Sequence, residues 1–279
     1  MEDVFAHTEG VQVLPEDGVV RGAVLVLSGS SGRVEAQRCR LLSEIGFAAM
    51  SIRWFGGRGQ PPGICEVALE TFGPALDRLA RLSENLVVIG SSKGAEAALL
   101  LASRDVRIRT VVGFSPTSVV WANVGPGRDG LDRPQRSSWT VAGAPLPYVP
   151  YDDGWHRETS AEHPAFRGLY EQSWRTFADR IAEAEIPVER IAGRVVVTAG
   201  GDDRVWPADR FARGIARRRA DHGLDTTVLT DPDAGHRVIL PRENPREHGG
   251  RRMARGGSAA ADARFGQRIW LELTAISRG

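Results

Sequence analysis

Apolar residues along this chain occur in two alternating textures: short unbroken runs, and longer stretches in which they recur every three or four positions. The runs are GAVLVL at 22–27, GFAAMSI at 46–52, LVVI at 86–89, IRTVVGF at 108–114, GRVVVTA at 193–199 and TTVLT at 226–230. Continuous apolar runs of this length are what strands covered on both faces require. Between them the helical period predicts helices over 34–45, with Leu41, Leu42 and Ile45 on one side; over 64–82, with an interruption near Gly73-Pro74; over 95–102; and over 208–222. A last helix over 259–276 places Phe265, Ile269, Trp270 and Leu273 toward the sheet. Residues 11–20 read as a strand or hairpin turning at Glu16-Asp17-Gly18. Strands alternating with helices predict an α/β fold built on a doubly wound, mostly parallel sheet.

One stretch breaks the alternation. From Trp121 to Pro164 the period disappears into Gly, Pro, Ser, Asp and aromatic residues, and a structureless loop of that length inside a domain is usually functional. It follows the strand at 108–114, so it is expected to form a cap excursion over the ends of the strands, roughly 121–185 of a single domain of 1–279, closed by a helix over 169–184. Trp139, Tyr148, Tyr151 and Trp155 are the residues expected in a lid. His156 and His163 lie seven apart with no cysteine nearby, and read as surface histidines rather than metal ligands.

Composition narrows the partners. A net charge of +1 over 279 residues, with a pI of about 7.9, gives no basis for a nucleic-acid or membrane-surface partner. Cys39 and Cys65 make no disulfide framework and fit a reducing compartment. No apolar segment approaches membrane-spanning length, and MEDVFAHTEG lacks a signal pattern. The expectation is a cytoplasmic protein. There is no Cys/His cluster of zinc spacing and no Walker loop, so neither metal nor cofactor is expected.

The candidate chemistry sits where the run at 86–89 meets Gly90-Ser91-Ser92-Lys93-Gly94 and passes directly into an Ala/Leu helix. GxSxG between a buried strand and a helix is a nucleophile elbow, the turn that lifts the central serine above the sheet in α/β-hydrolases. Ser92 is that serine. Such a site takes one oxyanion-hole N–H from the residue after the nucleophile and one from the loop after an earlier strand. The candidates are the amides of Lys93 and of Ser30, within Ser28-Gly29-Ser30-Ser31-Gly32. The elbow also predicts an acid and then a histidine, each after its own strand. GGDDRVWP at 200–207 and DPDAGH at 231–236 supply them as Asp203 and His236. Asp202 is the competing acid; Pro207, four positions on, favours Asp203. Trp54 and Phe55 are candidates for an acyl pocket but read first as core aromatics. Arg53, Arg58 and the arginine-rich segments 210–219 and 251–255 are candidates for phosphate contacts but read first as solvated charges.

With these motifs the chain resembles the catalytic domain of the acyl-CoA thioesterases and bile acid-CoA:amino acid N-acyltransferases, a branch of the α/β-hydrolases. The similar stretches are GSSKGAE at 90–96, ANVG at 122–125, IPVER at 186–190, GGDDRVWP at 200–207 and AGH at 234–236. The resemblance implies Ser92 as nucleophile, Asp203 as acid and His236 as base, with a small-molecule acyl thioester, on CoA or a carrier-protein arm, as substrate. Animal members carry a β-sandwich domain ahead of the catalytic one, for which this chain starts too late, so substrate features tied to that domain are not carried over. The bile-acid transferases use cysteine at the elbow where this chain has serine, which favours hydrolysis; transfer of the acyl group to an amine or hydroxyl is the alternative, and ligand binding without catalysis a third. Lys93 at the elbow is unusual, its side chain read either as solvated or as an attractor of anionic substrate.

Overall fold

The computed structural model describes residues 8–131, 135–156, 165–244 and 255–278. In chain order its elements are β1 (Gly10–Val13), β2 (Gly22–Leu27), α1 (Ala36–Glu44), β3 (Phe47–Ile52), β4 (Val67–Ala68), α2 (Gly73–Ala80), β5 (Leu86–Ser91), α3 (Lys93–Ala102) and β6 (Ile108–Phe114). After the excursion strands β7 (Trp139–Val141) and β8 (Ala144–Pro145) come α4 (Arg167–Thr176), α5 (Ile181–Ala184), β9 (Arg194–Gly200), α6 (Ala208–Ala220), β10 (Thr227–Asp231) and α7 (Ala259–Ser277). The main sheet runs β1-β3-β2-β5-β6-β9-β10, parallel throughout except that β1 is antiparallel to β3.

The apolar runs become strands because both of their faces are covered. In β2, Ala23, Leu25 and Leu27 join the core shared with α2, α3 and α6, whereas Val24 and Val26 join the core under α1 and α7. The same alternation splits β5 into Leu86 and Val88 on one side, Val87 and Ile89 on the other. β2 connects outward to β3, while β5 connects the other way to β6. The loops leaving β2 and β5 therefore diverge at their carboxyl ends, and a crevice opens at such a switch point.

Two predicted helices differ. Residues 64–68 are not helical: Ile64 bridges to Val124, Glu66 turns the chain at φ 50°, and Val67 pairs with Trp139. A 3-10 turn at Leu69–Phe72 then leads into α2, whose N-terminus carries the proline. Gly73-Pro74 is thus where the helix begins; a proline lacks only an N–H that the first turn leaves unpaired anyway. The helix expected over 169–184 is broken at Phe177 into α4, a 3-10 turn and α5.

The described part of the excursion packs aromatic side chains into the core. β7 pairs with β4 and with β8 in a small sheet, Ala122 bridges to Ser137, and Trp121 to Val149. Trp121 and Trp139 are fully buried. Trp139 packs on Trp54 and Phe72, while Tyr151 stacks on Trp121 at 6.0 Å between ring centroids. Tyr148 donates its hydroxyl to the Gln135 carbonyl, and Trp155 packs against Phe166. His156 is exposed, and His163 lies outside the described residues. Among the described residues no helix is long and apolar enough to cross a membrane.

Candidate active site

The elbow keeps its turn at the serine itself. Ser92 has φ 55° and ψ −120°, in the left-handed half of backbone space that a β-carbon disfavours. The flanking glycines serve a different need from the turn: a β-carbon on Gly90 would lie 2.0 Å from the Gly94 carbonyl oxygen, and one on Gly94 would lie 2.3 Å from the Ser28 carbonyl oxygen. They let α3 start directly against β5 and the end of β2. The Ser92 N–H donates to the Phe114 carbonyl at 2.8 Å, and its own carbonyl accepts from Ala95 and Glu96 to begin α3. Its side chain makes no capping bond. Ser91, by contrast, has its hydroxyl engaged by Arg38 at 3.1 Å.

At the end of β9, Asp203 is buried and accepts His236 Nδ1–H at Oδ2 (2.7 Å). Its Oδ1 accepts the backbone N–H groups of Val205 (2.8 Å) and Trp206 (3.1 Å), so the carboxylate is fixed from both ends. With Nδ1 carrying the proton, Nε2 keeps its lone pair and is the basic nitrogen. Asp202 points elsewhere: it is partly exposed, bonds Arg204, and accepts the Gly257 N–H. The histidine loop is held by Ser115, which donates its hydroxyl to the His236 carbonyl (2.6 Å), and by the Arg255 carbonyl, which accepts the His236 N–H (2.8 Å). Phe114 and Ser115 are consecutive at the end of β6, so this strand takes a hydrogen bond from Ser92 and gives one to the His236 loop. The indole of Trp206 stands edge-on to the imidazole, 5.7 Å between centroids.

Of the two oxyanion candidates, Lys93 is the first residue of α3, with its N–H beside Ser92. Ser30 follows Gly29, where a β-carbon would sit 3.0 Å from the Ser91 carbonyl oxygen and 3.1 Å from Ser92 Cβ, so the loop leans on the elbow. Arg53 donates to the Gly32 carbonyl at 3.0 Å and pairs with Glu9, tying that loop to the end of β3. Arg58 is exposed.

The Lys93 side chain is not solvated; it turns into the protein. It is 1% exposed, and Nζ donates to Glu96 at 2.7 Å. Glu96 in turn accepts the Trp121 N–H (3.1 Å) and the Trp139 indole N–H (2.8 Å). Burial lowers the Lys93 pKa and raises that of Glu96, outweighing their mutual attraction.

The basic run on α6 is largely engaged by the protein. Arg210 lies over the Trp174 ring at 4.6 Å, Arg213 pairs with Asp209, and Arg218 with Glu185 and Glu189. Arg219 is buried and donates to the Val188 and Ile191 carbonyls. A cleft of about 660 Å³ runs along this helix, lined by Ser118, Trp174, Ile186 and Phe211 among others, and none of Ser92, Asp203 or His236 borders it. Arg251 and Arg252 lie outside the described residues. Among the described residues no three His, Cys, Asp or Glu side chains are grouped as metal ligands.

Three buried groups that sequence reasoning passed over take part: Ser115, Glu96 and Arg38. Two had a signal. Glu96 is a lone acid in an Ala/Leu helix, and Arg38 shares the helical stripe of Leu41, Leu42 and Ile45; a charge on a buried face needs a partner. Ser115 had none.

This chain is 25% identical to acyl-coenzyme A thioesterase 6 of Mus musculus over 230 residues, 78% of this chain and 49% of the mouse protein. It is 23% identical to acyl-coenzyme A amino acid N-acyltransferase 1 of Mus musculus over 94% of this chain and 64% of that protein. It therefore spans about half to two thirds of the length of these relatives. A monoacylglycerol lipase from Paleococcus ferrophilus superposes with a TM-score of 0.53 over 96% of this chain and 99% of the lipase, at 16% identity, which identifies the α/β-hydrolase fold. Residues 67–275, from β4 to the last turns of α7, match the family described as BAAT / acyl-CoA thioester hydrolase C terminal, and the chain belongs to that family.

Proposed function

We propose that this protein is a serine hydrolase of acyl thioesters, acting through Ser92, Asp203 and His236. The observation that carries the reading is the Asp203–His236 hydrogen bond, with the acid's second oxygen fixed by two backbone N–H groups, on the loops beside a strained Ser92 elbow. The family and its mouse relatives supply the substrate class, since both relatives are named for acyl-coenzyme A chemistry.

In this mechanism His236 Nε2 takes the Ser92 proton as Oγ attacks the thioester carbonyl. The amides of Lys93 and Ser30 receive the oxyanion, and the positive end of α3 favours the charge that develops there. Collapse expels the thiolate, which receives the proton from His236, leaving an acyl ester on Ser92. Water, deprotonated by His236, attacks that ester and releases the acid, and the proton returns to Ser92. Hydrolysis is favoured over transfer because an oxygen ester at serine is less readily intercepted by an amine than a thioester at cysteine.

The test is mass spectrometry of the protein mixed with acyl-CoA on the single-turnover timescale. An acyl group on Ser92 is expected, and one on Ser91 overturns the assignment. Ser92→Ala should lose on the order of 10⁶ in turnover, and Asp203→Asn about 10⁴, with Asp202→Asn close to wild type. Release of free acid at a rate that glycine or taurine does not change supports water as acceptor. Amine-accelerated loss of the acyl-enzyme, with the amine in the product, establishes the transferase instead.

A further inference from the structure

The loop that carries His236 has no regular structure from 236 to 244, yet its general base must be held to a fraction of an ångström against a serine on a different strand. One buried side chain touches both that loop and the residue before Ser92. Arg38, in the first turn of α1, donates from Nε and Nη2 to the two carboxylate oxygens of Glu243 at 2.7 and 2.9 Å. Nη2 also donates to the Val238 carbonyl at 3.2 Å, and Nη1 to the Ser91 hydroxyl at 3.1 Å. The guanidinium lies over the Phe114 ring, 5.2 Å from its centroid. Glu243 accepts the Leu240 N–H at 2.8 Å, closing the loop on itself.

Three of these contacts land close to a residue of the proposed site. Ser91 precedes Ser92; Phe114 accepts the Ser92 N–H; Val238 is two residues beyond His236. The planar fork of arginine can serve a carboxylate with two bonds and still reach a hydroxyl and a carbonyl; a lysine's single nitrogen cannot span the same groups. We infer that Arg38, locked by Glu243, is a positioning residue that sets the placement of the His236 loop against the Ser92 elbow. The inference rests on the triad reading above. It adds that the distance between nucleophile and base is fixed through α1, an element that contributes no group to the reaction.

The experiment compares Arg38→Lys, Arg38→Met, Glu243→Gln and Ser91→Ala with wild type. Two rates are read: phosphonylation by a fluorophosphonate, which reports Ser92 reactivity without any thioester, and steady-state acyl-CoA hydrolysis. Arg38→Met is expected to lower both the phosphonylation rate and kcat about 10²-fold, the scale of a 1 Å misplacement, with KM within about twofold. Glu243→Gln should fall about tenfold, Arg38→Lys between the two, and Ser91→Ala about threefold. A proton NMR signal of the His236 Nδ1–H bonded to Asp203 should persist in every variant that keeps its activity loss in kcat, because that bond is made elsewhere. If Arg38→Met does not fold, the double variant Ser91→Ala/Glu243→Gln decides, with an expected loss of about 30-fold. Rates within about twofold of wild type in folded Arg38→Lys and Glu243→Gln, or losses carried by KM alone, overturn the inference. A wild-type protein that the fluorophosphonate fails to label on Ser92 overturns the triad reading instead.

Discussion

Two buried ion pairs lie on either side of the elbow, each with a closest N–O distance of 2.7 Å, and they are built differently. Arg38–Glu243 joins α1 to a loop more than two hundred residues away and presents a fork to both oxygens of one carboxylate. Burial alone would push the Glu243 carboxyl up and the Arg38 guanidinium down. The charges and hydrogen bonds of the pair win, holding Glu243 below the usual carboxylate range and Arg38 above its own. Lys93–Glu96 lies within one turn of α3, and there burial wins: Lys93 is lowered and Glu96 raised, although Glu96 also accepts two N–H groups from the excursion. A bidentate arginine overcomes the cost of desolvation where a single lysine contact does not. The first pair can therefore act as a stable fastening for the His236 loop. The second is an anchor for Trp121 and Trp139 in which burial works against both charges.

Removing one cation from each pair should produce the largest separation between them. Arg38→Met removes the cation and the two hydrogen bonds that hold the Glu243 carboxyl below its usual range while leaving it buried, and an unfolding free energy lower by about 3–5 kcal/mol is expected. Lys93→Met leaves Glu96 free to take up a proton, so the cost falls to that of an imperfectly satisfied buried polar group, about 1–3 kcal/mol. Urea unfolding at pH 7 measures both, and equal losses would erase the distinction. The next effect concerns neutral replacement of whole pairs. Lys93→Met/Glu96→Gln should unfold within about 1 kcal/mol of Lys93→Met or more stably, since a buried pair is often replaced at no loss. Arg38→Met/Glu243→Gln should recover no activity over Arg38→Met, because Ser91 and Val238 lose their donor in both.

The same contrast shows how much was legible in advance. Strands such as 22–27 and 86–89 were read in the right places because an apolar run buried on two faces has few alternatives. The Ser, Asp, His order stands out because each residue sits in the turn or loop after its own strand. Residues 64–68 looked helical, since Ile64, Val67 and Ala68 fit a helical stripe; their pairing with Val124 and Trp139 is a long-range choice that local spacing does not encode. The excursion lacked a period because its aromatics pack on one another and on Glu96 rather than along a helix or strand face. Spacing alone puts Lys93 in solvent or against substrate, because a lone lysine is usually exposed. Its neighbour three positions on held the correction: a Lys and a Glu at i, i+3 share one face of a helix, and α3 is buried on every face.

The smallest expected effect is in the pH dependence of stability, where the two pairs act in different windows. Glu243 has a folded pKa below its unfolded value, so its contribution is complete above the ordinary glutamate value of about 4.3 and is lost as the pH falls through the folded pKa. Glu243→Gln should therefore flatten the loss of stability below about pH 4.3 and leave the slope above it unchanged. Glu96 has the opposite sign. Burial raises its folded pKa, so its favourable contribution is present below about 4.3 and disappears as the pH rises through the folded value. In Lys93→Met, with the attracting cation gone and burial unchanged, stability relative to wild type should rise as the pH falls from 7 toward about 4.3, at up to about 1.4 kcal/mol per pH unit. Thermal melts of wild type, Glu243→Gln and Lys93→Met across pH 7.5 to 3.5, about four units spanning both windows, separate the two. If Lys93→Met runs parallel to wild type above about pH 4.3, the Lys93 cation is not what opposes burial at Glu96, and the contrast between the two pairs fails.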